Sequence, residues 1–246
     1  MEYNRPKLKM PKLTLKLWNR INKFIDDYKL LNKKSRILLA VSGGPDSMML
    51  LHFFHKARDN YFAVFHLNHM IRKESEKDEK IIFDYCERNS LDFAIERIDI
   101  KRMANKEKKN LEAYARDIRY KMFERYARKF KCDIIATAHN ADENVETVLL
   151  NLFRGTDPLS LCGIPVKRRL GSFYVIRPLL CIRKNEILCY LEENKIRYAV
   201  DKTNFDTYYT RNWLRHKIIP DIEKRYSGFS QRIVKMCEKL KKIIGM

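Results

Sequence analysis

Short apolar runs alternate with longer amphipathic segments along most of the chain. Four of these runs predict buried strands, at residues 37–41, 62–65, 93–98 and 133–137, because each is followed by a polar stretch with helical spacing of apolar positions. Strands that alternate with helices in this way favour a parallel, doubly wound sheet with right-handed crossovers. We therefore predict an α/β fold of the Rossmann type, with its functional side chains at the carboxyl ends of the strands.

Both ends of the chain carry helical patterns. Residues 13–31 place apolar side chains at helical spacing and predict a helix that packs on the domain. A loop at residues 154–165 and a short strand at 174–176 follow the last of the four strand and helix pairs. The remaining pattern predicts one helix over residues 183–194 and two over 209–243, broken at Pro220.

The charge of the chain is strongly positive. It has 51 Lys and Arg against 31 Asp and Glu, a formal net charge of +20 and an isoelectric point near 9.7. Residues 101–131 hold twelve basic residues and four acids, on a predicted loop and helix. A lysine-rich genome would also produce basic surfaces, but the clustering favours a polyanionic partner.

Cysteine placement and hydropathy indicate the compartment. The six cysteines are scattered without a C-x-x-C pair, so no zinc site or disulfide framework is indicated and we expect free thiols. No run approaches the roughly 20 apolar residues of a membrane span, and no apolar stretch follows the basic N-terminus. We expect a cytoplasmic protein with no membrane partner.

The clearest chemical motif is a glycine loop directly after the first predicted strand. Its two glycines let backbone N–H groups approach a phosphate, its serines add hydroxyl groups, and the following helix supplies the positive end of its dipole. A carboxylate beside phosphates calls for a cation, so we assign the loop's aspartate to Mg²⁺. The alternative is a glycine turn with a helix cap. The loop consists of Ser42, Gly43, Gly44, Pro45, Asp46 and Ser47.

This hexapeptide resembles the Ser-Gly-Gly-x-Asp-Ser signature of the PP-loop, or N-type, ATP pyrophosphatases. The resemblance implies an adenine nucleotide alpha-hydrolase-like fold and a loop whose six residues bind ATP. It also implies cleavage between the α and β phosphates, with AMP transiently attached to a substrate oxygen, and a catalytic, metal-binding role for Asp46. We accordingly divide the chain into an N-terminal helix (1–34), a PP-loop domain (35–180) and a helical C-terminal extension (181–246).

Two further segments resemble the lysidine synthetases within that group. His66-Leu67-Asn68-His69-Met70-Ile71-Arg72, followed by Glu74, ends the second strand. Residues 110–120 contain Arg116 and Arg119, which share a helix face because they are three residues apart and would be able to bind a phosphate. The resemblance implies a catalytic role for Arg116 and an RNA-binding role for Arg119.

A third segment, residues 137–147, carries three acids within about one helical turn. Acids in a first turn are favoured by the helix dipole, which accounts for Asp142 and Glu143 but less well for Glu146. In the lysidine synthetases the equivalent helix holds free lysine, so the resemblance assigns all three to lysine binding. His139, in the same segment, or one of these carboxylates is our candidate general base.

Later segments also resemble the family, so the likeness covers roughly residues 35–220. They include residues 176–187, 201–204 and 209–220, and Arg211 and Arg215 in the last of these are assigned to RNA binding. Many members continue into C-terminal domains that hold the tRNA acceptor stem, whereas this sequence ends at Met246. The way in which tRNA is selected, and an oligomeric state such as a homodimer, are left open.

The resemblance implies that ATP, Mg²⁺, L-lysine and an isoleucine tRNA with a CAU anticodon meet on this protein. Adenylation of the wobble cytidine would precede attack by the lysine amine, giving lysidine. The nearest alternative is a tRNA thiolase of the same group, which we expect to need paired cysteines. An amide synthetase has little use for a charge of +20, and a non-enzymatic RNA-binding protein does not need Asp46 or the acidic helix.

Overall fold

The chain, for which we use a computed structural model, is described over residues 11–70, 75–155, 157–200 and 206–244. Its strands are β1 (Ile37–Ala40), β2 (Phe62–Asn68), β3 (Phe93–Arg97), β4 (Ile134–Ala136), β5 (Lys167–Leu170) and β6 (Phe173–Ile176). Its first seven α-helices are α1 (Lys12–Asp27), α2 (Pro45–Ala57), α3 (Ser75–Arg88), α4 (Ile100–Lys106), α5 (Leu111–Lys129), α6 (Ala141–Phe153) and α7 (Lys184–Glu193). The last three are α8 (Thr210–Trp213), α9 (Ile219–Arg225) and α10 (Phe229–Ile243), and 3₁₀ turns occupy Pro158–Cys162 and Pro178–Cys181.

The six strands form one sheet in the order β3-β2-β1-β4-β6-β5. All neighbouring pairs are parallel except β5 and β6, which form an antiparallel pair at one edge. The predicted α/β fold with a doubly wound, mostly parallel sheet and a helical C-terminal part is therefore confirmed. From β1 the chain adds strands in one direction and then returns to β4 on the other side, which creates a crevice at the carboxyl ends of β1 and β4.

The central strand is apolar along its length because both of its faces are covered. Ile37 and Leu39 belong to the cluster formed with α1, α2 and α7, whereas Leu38 points to the opposite cluster, which includes residues of α5. All three side chains are fully buried. Alternation between two buried faces is what a central parallel strand requires, and it explains a continuous apolar run where a half-exposed strand would alternate.

The N-terminal helix α1 packs in the interior against α2 and α7. The indole of Trp18 on α1 donates to the hydroxyl of Tyr190 on α7 at 2.8 Å, and that hydroxyl lies 2.6 Å from Nδ1 of His52 on α2. Burial lowers the pKa of His52 to about 4, so it is neutral at pH 7. The main hydrophobic core runs from Leu17 to Leu191. The division of the chain at residues 34 and 180 stays a prediction, and this core is continuous across both positions.

Several boundaries differ from those predicted. The first helix ends at Asp27 rather than near residue 31, and the chain then passes through Lys29 with a positive φ of 47°. Part of the predicted loop in residues 101–131 is the helix α4, which begins where the carboxylate of Asp99 accepts from the Arg102 N–H at 2.9 Å. The helix after the glycine loop starts at Pro45, within the loop motif itself, since proline suits a first helical position.

The predicted helix break at Pro220 is wrong. Residues 210–225 continue as one helix through a π-helical turn, Leu214–Ile218, and the break falls at residues 226–228, where Gly228 has a φ of 77°. A π turn is one residue wider than an α turn, so it accommodates the missing N–H and the ring of a proline that would otherwise interrupt the helix.

Two other expectations concern cysteines and membranes. All six cysteines are free, and four of them are buried, namely Cys86, Cys132, Cys162 and Cys237. Within the described ranges, no helix combines the length and the apolar character that crossing a membrane would need.

Gly163 provides a test of how closely the segment after α6 packs against that helix. It has a φ of 73°, and a Cβ atom there would lie 2.3 Å from the Asn144 side-chain oxygen. We expect Gly163→Ala to lower the free energy of unfolding by about 2–5 kcal/mol, because backbone strain and overpacking add. Gly155 has a φ of 60° but open space around it, so Gly155→Ala should cost about 1–2 kcal/mol. Urea unfolding of both variants measures the difference, and equal losses would contradict the packing argument.

Candidate active site

The glycine loop joins the carboxyl end of β1 to α2. Gly43 has a φ of 87°, and a Cβ atom there would lie 3.1 Å from the backbone oxygen of Asp78, so the close approach of α3 requires glycine. The Gly43 carbonyl accepts from the Ala199 N–H at 2.8 Å. Ser47 Oγ donates to the Gly44 carbonyl at 2.9 Å and accepts from the Ser42 N–H at 3.2 Å. The loop is thus held from both sides, and the first turn of α2 presents N–H groups to an anion.

Asp46 lies in this first turn and connects three helices. Its Oδ1 accepts from the side-chain amide of Asn140, at the start of α6, at 2.9 Å. Its Oδ2 accepts from the ammonium of Lys184, at the start of α7, at 2.6 Å. A single carboxylate next to a phosphate-binding loop fits Mg²⁺, which proteins commonly hold through one or two carboxylates and the phosphates of the substrate.

Lys184 is a site residue that sequence reasoning missed. It is the first residue of α7, and Arg183 precedes it, although a cation at a helix N-terminus opposes the helix dipole. Each finds a carboxylate: Lys184 bonds Asp46, while the guanidinium of Arg183 bonds Asp142 at 2.8–3.1 Å. The Lys184 N–H also donates to Asp142 at 2.7 Å. Two adjacent cations at a predicted helix start were the available signal.

Helix α6 carries Asp142, Glu143 and Glu146 and is called the acidic helix below. Glu143 is the middle one of these three acids. Its carboxylate accepts from the backbone N–H of Asn140 at 3.1 Å, and the Asn140 side chain accepts from the Glu143 N–H at 2.9 Å, which forms a capping box. Burial, and then the charge of Asp46, raise the pKa of Glu143 to about 7. Near neutral pH its carboxyl group is therefore divided between the protonated and ionised forms.

Glu146 differs from Glu143 because arginines already occupy its carboxylate. The side chain is 1% exposed and accepts from the guanidinium of Arg215 in two hydrogen bonds of 2.6 and 3.0 Å. Arg211 approaches the same carboxylate at 3.7 Å. Two of the three arginines that we predicted to bind RNA, Arg211 and Arg215, thus lie against an acid that we predicted to bind lysine. These contacts join the C-terminal helices to α6.

His139 follows β4 in a strongly positive environment. Its Nδ1 lies 3.0 Å from the hydroxyl of Thr137. Burial, and then the charges of Arg177, Arg119, Arg211 and Arg116 in that order, lower the pKa of His139 to about 3. The imidazole is neutral at pH 7. Arg116 and Arg119 lie on α5 and are exposed, and their contribution to this pKa indicates that α5 runs close to the end of β4.

The histidine segment at the end of β2 is partly described. His66 is buried and its Nδ1 donates to the Val41 carbonyl at 2.8 Å, while the Asn68 amide donates to Glu79 at 3.1 Å. Burial lowers the pKa of His69 to about 4, with a further contribution from Arg119. Arg72 and Glu74 of this segment, and residues 201–204, lie outside the described residues.

Comparison with known proteins identifies the family. The sequence pattern of the PP-loop domain matches residues 13–222. The chain belongs to the PP-loop family. That assignment agrees with the resemblance drawn from residues 42–47, and the match extends from α1 into α9, beyond the limits predicted for the domain.

Two relatives of this PP-loop protein are named tRNA(Ile)-lysidine synthase. The one from Thermosipho africanus is 40% identical over 217 residues, which cover 87% of this chain and 50% of the relative. The one from Clostridium tetani is 37% identical over 220 residues, which cover 88% and 46%. This chain spans about half the length of either relative.

A solved structure supports the fold assignment. The U34-tRNA thiolase NcsA from Methanococcus maripaludis superposes on this PP-loop protein with a TM-score of 0.75 over 93% of this chain and 79% of the thiolase, at 21% identity. At this identity, the superposition shows that the two proteins share a fold and carries no conclusion about activity.

The raised pKa of Glu143 predicts how stability depends on pH. Because the folded state holds this proton up to about pH 7, the unfolded chain ionises first, and the stability that the carboxyl contributes falls as the pH rises from about 4.5 to 7. Glu143→Gln removes this loss. We expect the melting temperature of the variant, relative to the parent protein, to be higher at pH 8 than at pH 5.

The control for this measurement is Glu192→Gln, at an exposed position on α7. It should show the same small difference from the parent at both pH values. Equal differences for Glu143→Gln at pH 5 and pH 8 would mean that this carboxyl titrates as an ordinary glutamate.

Proposed function

We propose that this PP-loop protein uses ATP to join L-lysine to the wobble cytidine of an isoleucine tRNA whose anticodon is CAU. The names of the relatives support this substrate class, as does the net charge of +20. The observation that carries the proposal is the meeting of the glycine loop and the acidic helix at Asp46, which Asn140 and Lys184 hold in place. A nucleotide and an amino acid cation bound to these two elements would lie side by side.

The first half-reaction needs the phosphates to be held while charge shifts. Residues 42–47 and Lys184 would bind the phosphates, and Asp46 would hold Mg²⁺, which supplies positive charge to the phosphate oxygens when it is bound. The C2 oxygen of cytidine attacks the α-phosphorus, the bond to the β-phosphate oxygen breaks, and pyrophosphate leaves. Arg116 on α5, whose charge contributes to the lowered pKa of His139, would stabilise the charge on the α-phosphate.

The second half-reaction needs an ammonium to be bound and deprotonated. The lysine amine attacks C2, the C2–O bond breaks, and AMP leaves with the oxygen. We assign the ammonium to Glu143, because Arg183 and Arg215 already bond Asp142 and Glu146, which then shape the lysine pocket around it. Glu143, with a pKa near 7, is also a better proton acceptor than His139, with a pKa near 3.

We expect Asp46→Asn to lower tRNA-dependent pyrophosphate release on the order of a hundredfold or more. Loss of this negative charge removes the metal ligand, and metal-ion stabilisation of phosphate charge is worth several kcal/mol, with about 1.4 kcal/mol for each tenfold change in rate. Asp221→Asn, at an exposed aspartate on α9, is the matched control and should leave the rate unchanged. An unaltered rate in a folded Asp46→Asn protein would remove Asp46 from the mechanism.

Glu143→Gln should separate the two half-reactions. Lysine incorporation into tRNA is expected to fall by about a hundredfold, since a buried charge pair loses several kcal/mol when one partner is removed. Pyrophosphate release should continue, because adenylation does not need the amine. A thiolase would incorporate no lysine with any variant. Radiolabelled lysine in the tRNA fraction and released pyrophosphate are measured in the same reaction, and an equal fall in both would exclude lysine binding by Glu143.

Glu146→Gln is the informative comparison. This change weakens the partner of Arg215 in a buried ion pair, so we expect the melting temperature and both half-reactions to fall together. A stable Glu146→Gln protein that loses only lysine incorporation would instead place the ammonium on Glu146.

A further inference from the structure

Tyr120 on α5 is surrounded by arginines from three elements. The guanidinium of Arg116, one turn earlier on α5, lies 5.2 Å from the centre of the Tyr120 ring, and that of Arg168 on β5 lies 4.7 Å from it. Arg177, directly after β6, is 3% exposed and donates to the Pro165 carbonyl at 2.6 Å. Its guanidinium also interacts with the Tyr120 side chain.

Among the described residues, these three arginines have no carboxylate partner, in contrast to arginines such as Arg183 and Arg215. In the described part of the chain, no ion pair involves Arg116, Arg168 or Arg177. The Nε atoms of Arg168 and Arg177 are buried and have no hydrogen-bond partner among the described residues. Unsatisfied buried donors are costly, and like charges this close repel each other. A bound anion would relieve both effects.

Arg128 shows the contrast. Its guanidinium lies 5.4 Å from the centre of the Phe173 ring, in the same kind of stacking contact, but it also bonds Glu124 at 3.0 Å. Arg128 and Arg168 are therefore matched in chemistry and in stacking, and they differ in whether a carboxylate neutralises the charge.

Arg116, Arg168 and Arg177, which we call the arginine cluster, lie beside the candidate active site and apart from the glycine loop. Arg116 and Arg177 both contribute to the lowered pKa of His139, so their field reaches the end of β4. Arg168 and Arg177 come from the β5 and β6 side of β4, whereas the glycine loop follows β1 on the other side. An anion bound at Tyr120 would be distinct from the ATP phosphates and close to the nucleotide that reacts.

We propose that Arg168 and Arg177, beside Tyr120, bind a backbone phosphate of the RNA substrate next to the reacting nucleotide. The proposal rests on the proposed function. A cation–π contact with the tyrosine ring restrains a guanidinium, whose planar N–H groups match the oxygens of a phosphate. Lys167, 4.4 Å from the centre of the Tyr174 ring, extends the basic and aromatic surface along the edge strand β5, in the pattern of surfaces that bind RNA strands.

Arg168→Gln tests the proposal, because Arg168 lies on the edge strand and is partly exposed. The affinity of the full-length protein for transcribed tRNA is measured by fluorescence anisotropy at several salt concentrations. We expect a dissociation constant roughly tenfold higher and a slope of log affinity against log salt that is smaller by about 0.7–0.9, as for one lost phosphate contact. The KM for tRNA in pyrophosphate release should rise more than kcat falls.

Two further variants serve as controls for the loss of the Arg168 guanidinium. Arg128→Gln should leave the affinity and the salt slope unchanged. Arg168→Lys retains the charge but loses the planar donor group, so it should keep the salt slope with an intermediate affinity. A circular dichroism melt of each variant establishes that it is folded.

The outcomes separate this inference from the proposed function. If the parent protein does not bind tRNA, the proposed function fails. If it binds tRNA and Arg168→Gln binds equally well with the same salt slope, the inference is overturned. A rise in the KM for ATP instead of tRNA would assign the cluster to nucleotide phosphates and would overturn the inference. Equal losses of affinity in Arg128→Gln and Arg168→Gln would also overturn it, because they would indicate only the general positive field of the protein.

Discussion

The carboxylate of Asp46 links the three helices that surround the candidate active site, and the arrangement of the site depends on these contacts. The glycine loop delivers it to the crevice between β1 and β4, where Asn140 and Lys184 bond its two oxygens. Those partners stand at the starts of α6 and α7, so one side chain fixes the relative positions of three helix N-termini. Each N-terminus carries partial positive charge, and the crevice therefore favours anions even though its central residue is an acid.

The other acids of α6 show how a basic protein limits the number of carboxylates that are available to a ligand. Asp142 is bonded by Arg183 and Glu146 by Arg215, and both pairs join α6 to helices from the C-terminal part of the chain. Within the described part of the chain, Glu143, between them, makes backbone and cap interactions, and it shares its surroundings with Asp46. The sequence predicts that all three acids bind lysine. In the structure, Asp142 and Glu146 form ion pairs with arginines, and Glu143 is the carboxyl group with a raised pKa.

The sequence was sufficient to predict the parts of the fold that depend on local pattern. Buried strands such as β1 are apolar on both faces, and the glycine loop has a conformation that only its residue types permit. The strand β5, Lys167-Arg168-Arg169-Leu170, was not predicted because it is a polar edge strand, and its pairing with β6 supplies what its composition does not. The prediction of a helix break at Pro220 is wrong because a π turn leaves no mark in the sequence.

The pairing of side chains was harder to predict than the fold, for a physical reason. Arg215 and Glu146 are 69 positions apart, and nothing in either local segment indicates that one neutralises the other. Lys184 was identifiable only as a cation at an unfavourable helix position, and Arg168 only as one of many basic residues. Local spacing predicts which residues share a helix face, whereas charge neutralisation depends on contacts that form when distant elements pack.

The same packing gives the site its electrostatic asymmetry. Burial, and then the charges of Arg177 and other nearby arginines, lower the pKa of His139 to about 3. On the acidic helix, burial and Asp46 raise the pKa of Glu143 to about 7. Polyanionic substrates would neutralise the arginines, and an ammonium beside Glu143 would favour its ionised form. Each change moves the pKa of the neighbouring group back towards its ordinary value. Under the proposed function, the RNA phosphates and the lysine ammonium would therefore act in opposite directions on the two groups, and each would lower the electrostatic cost that the free site carries.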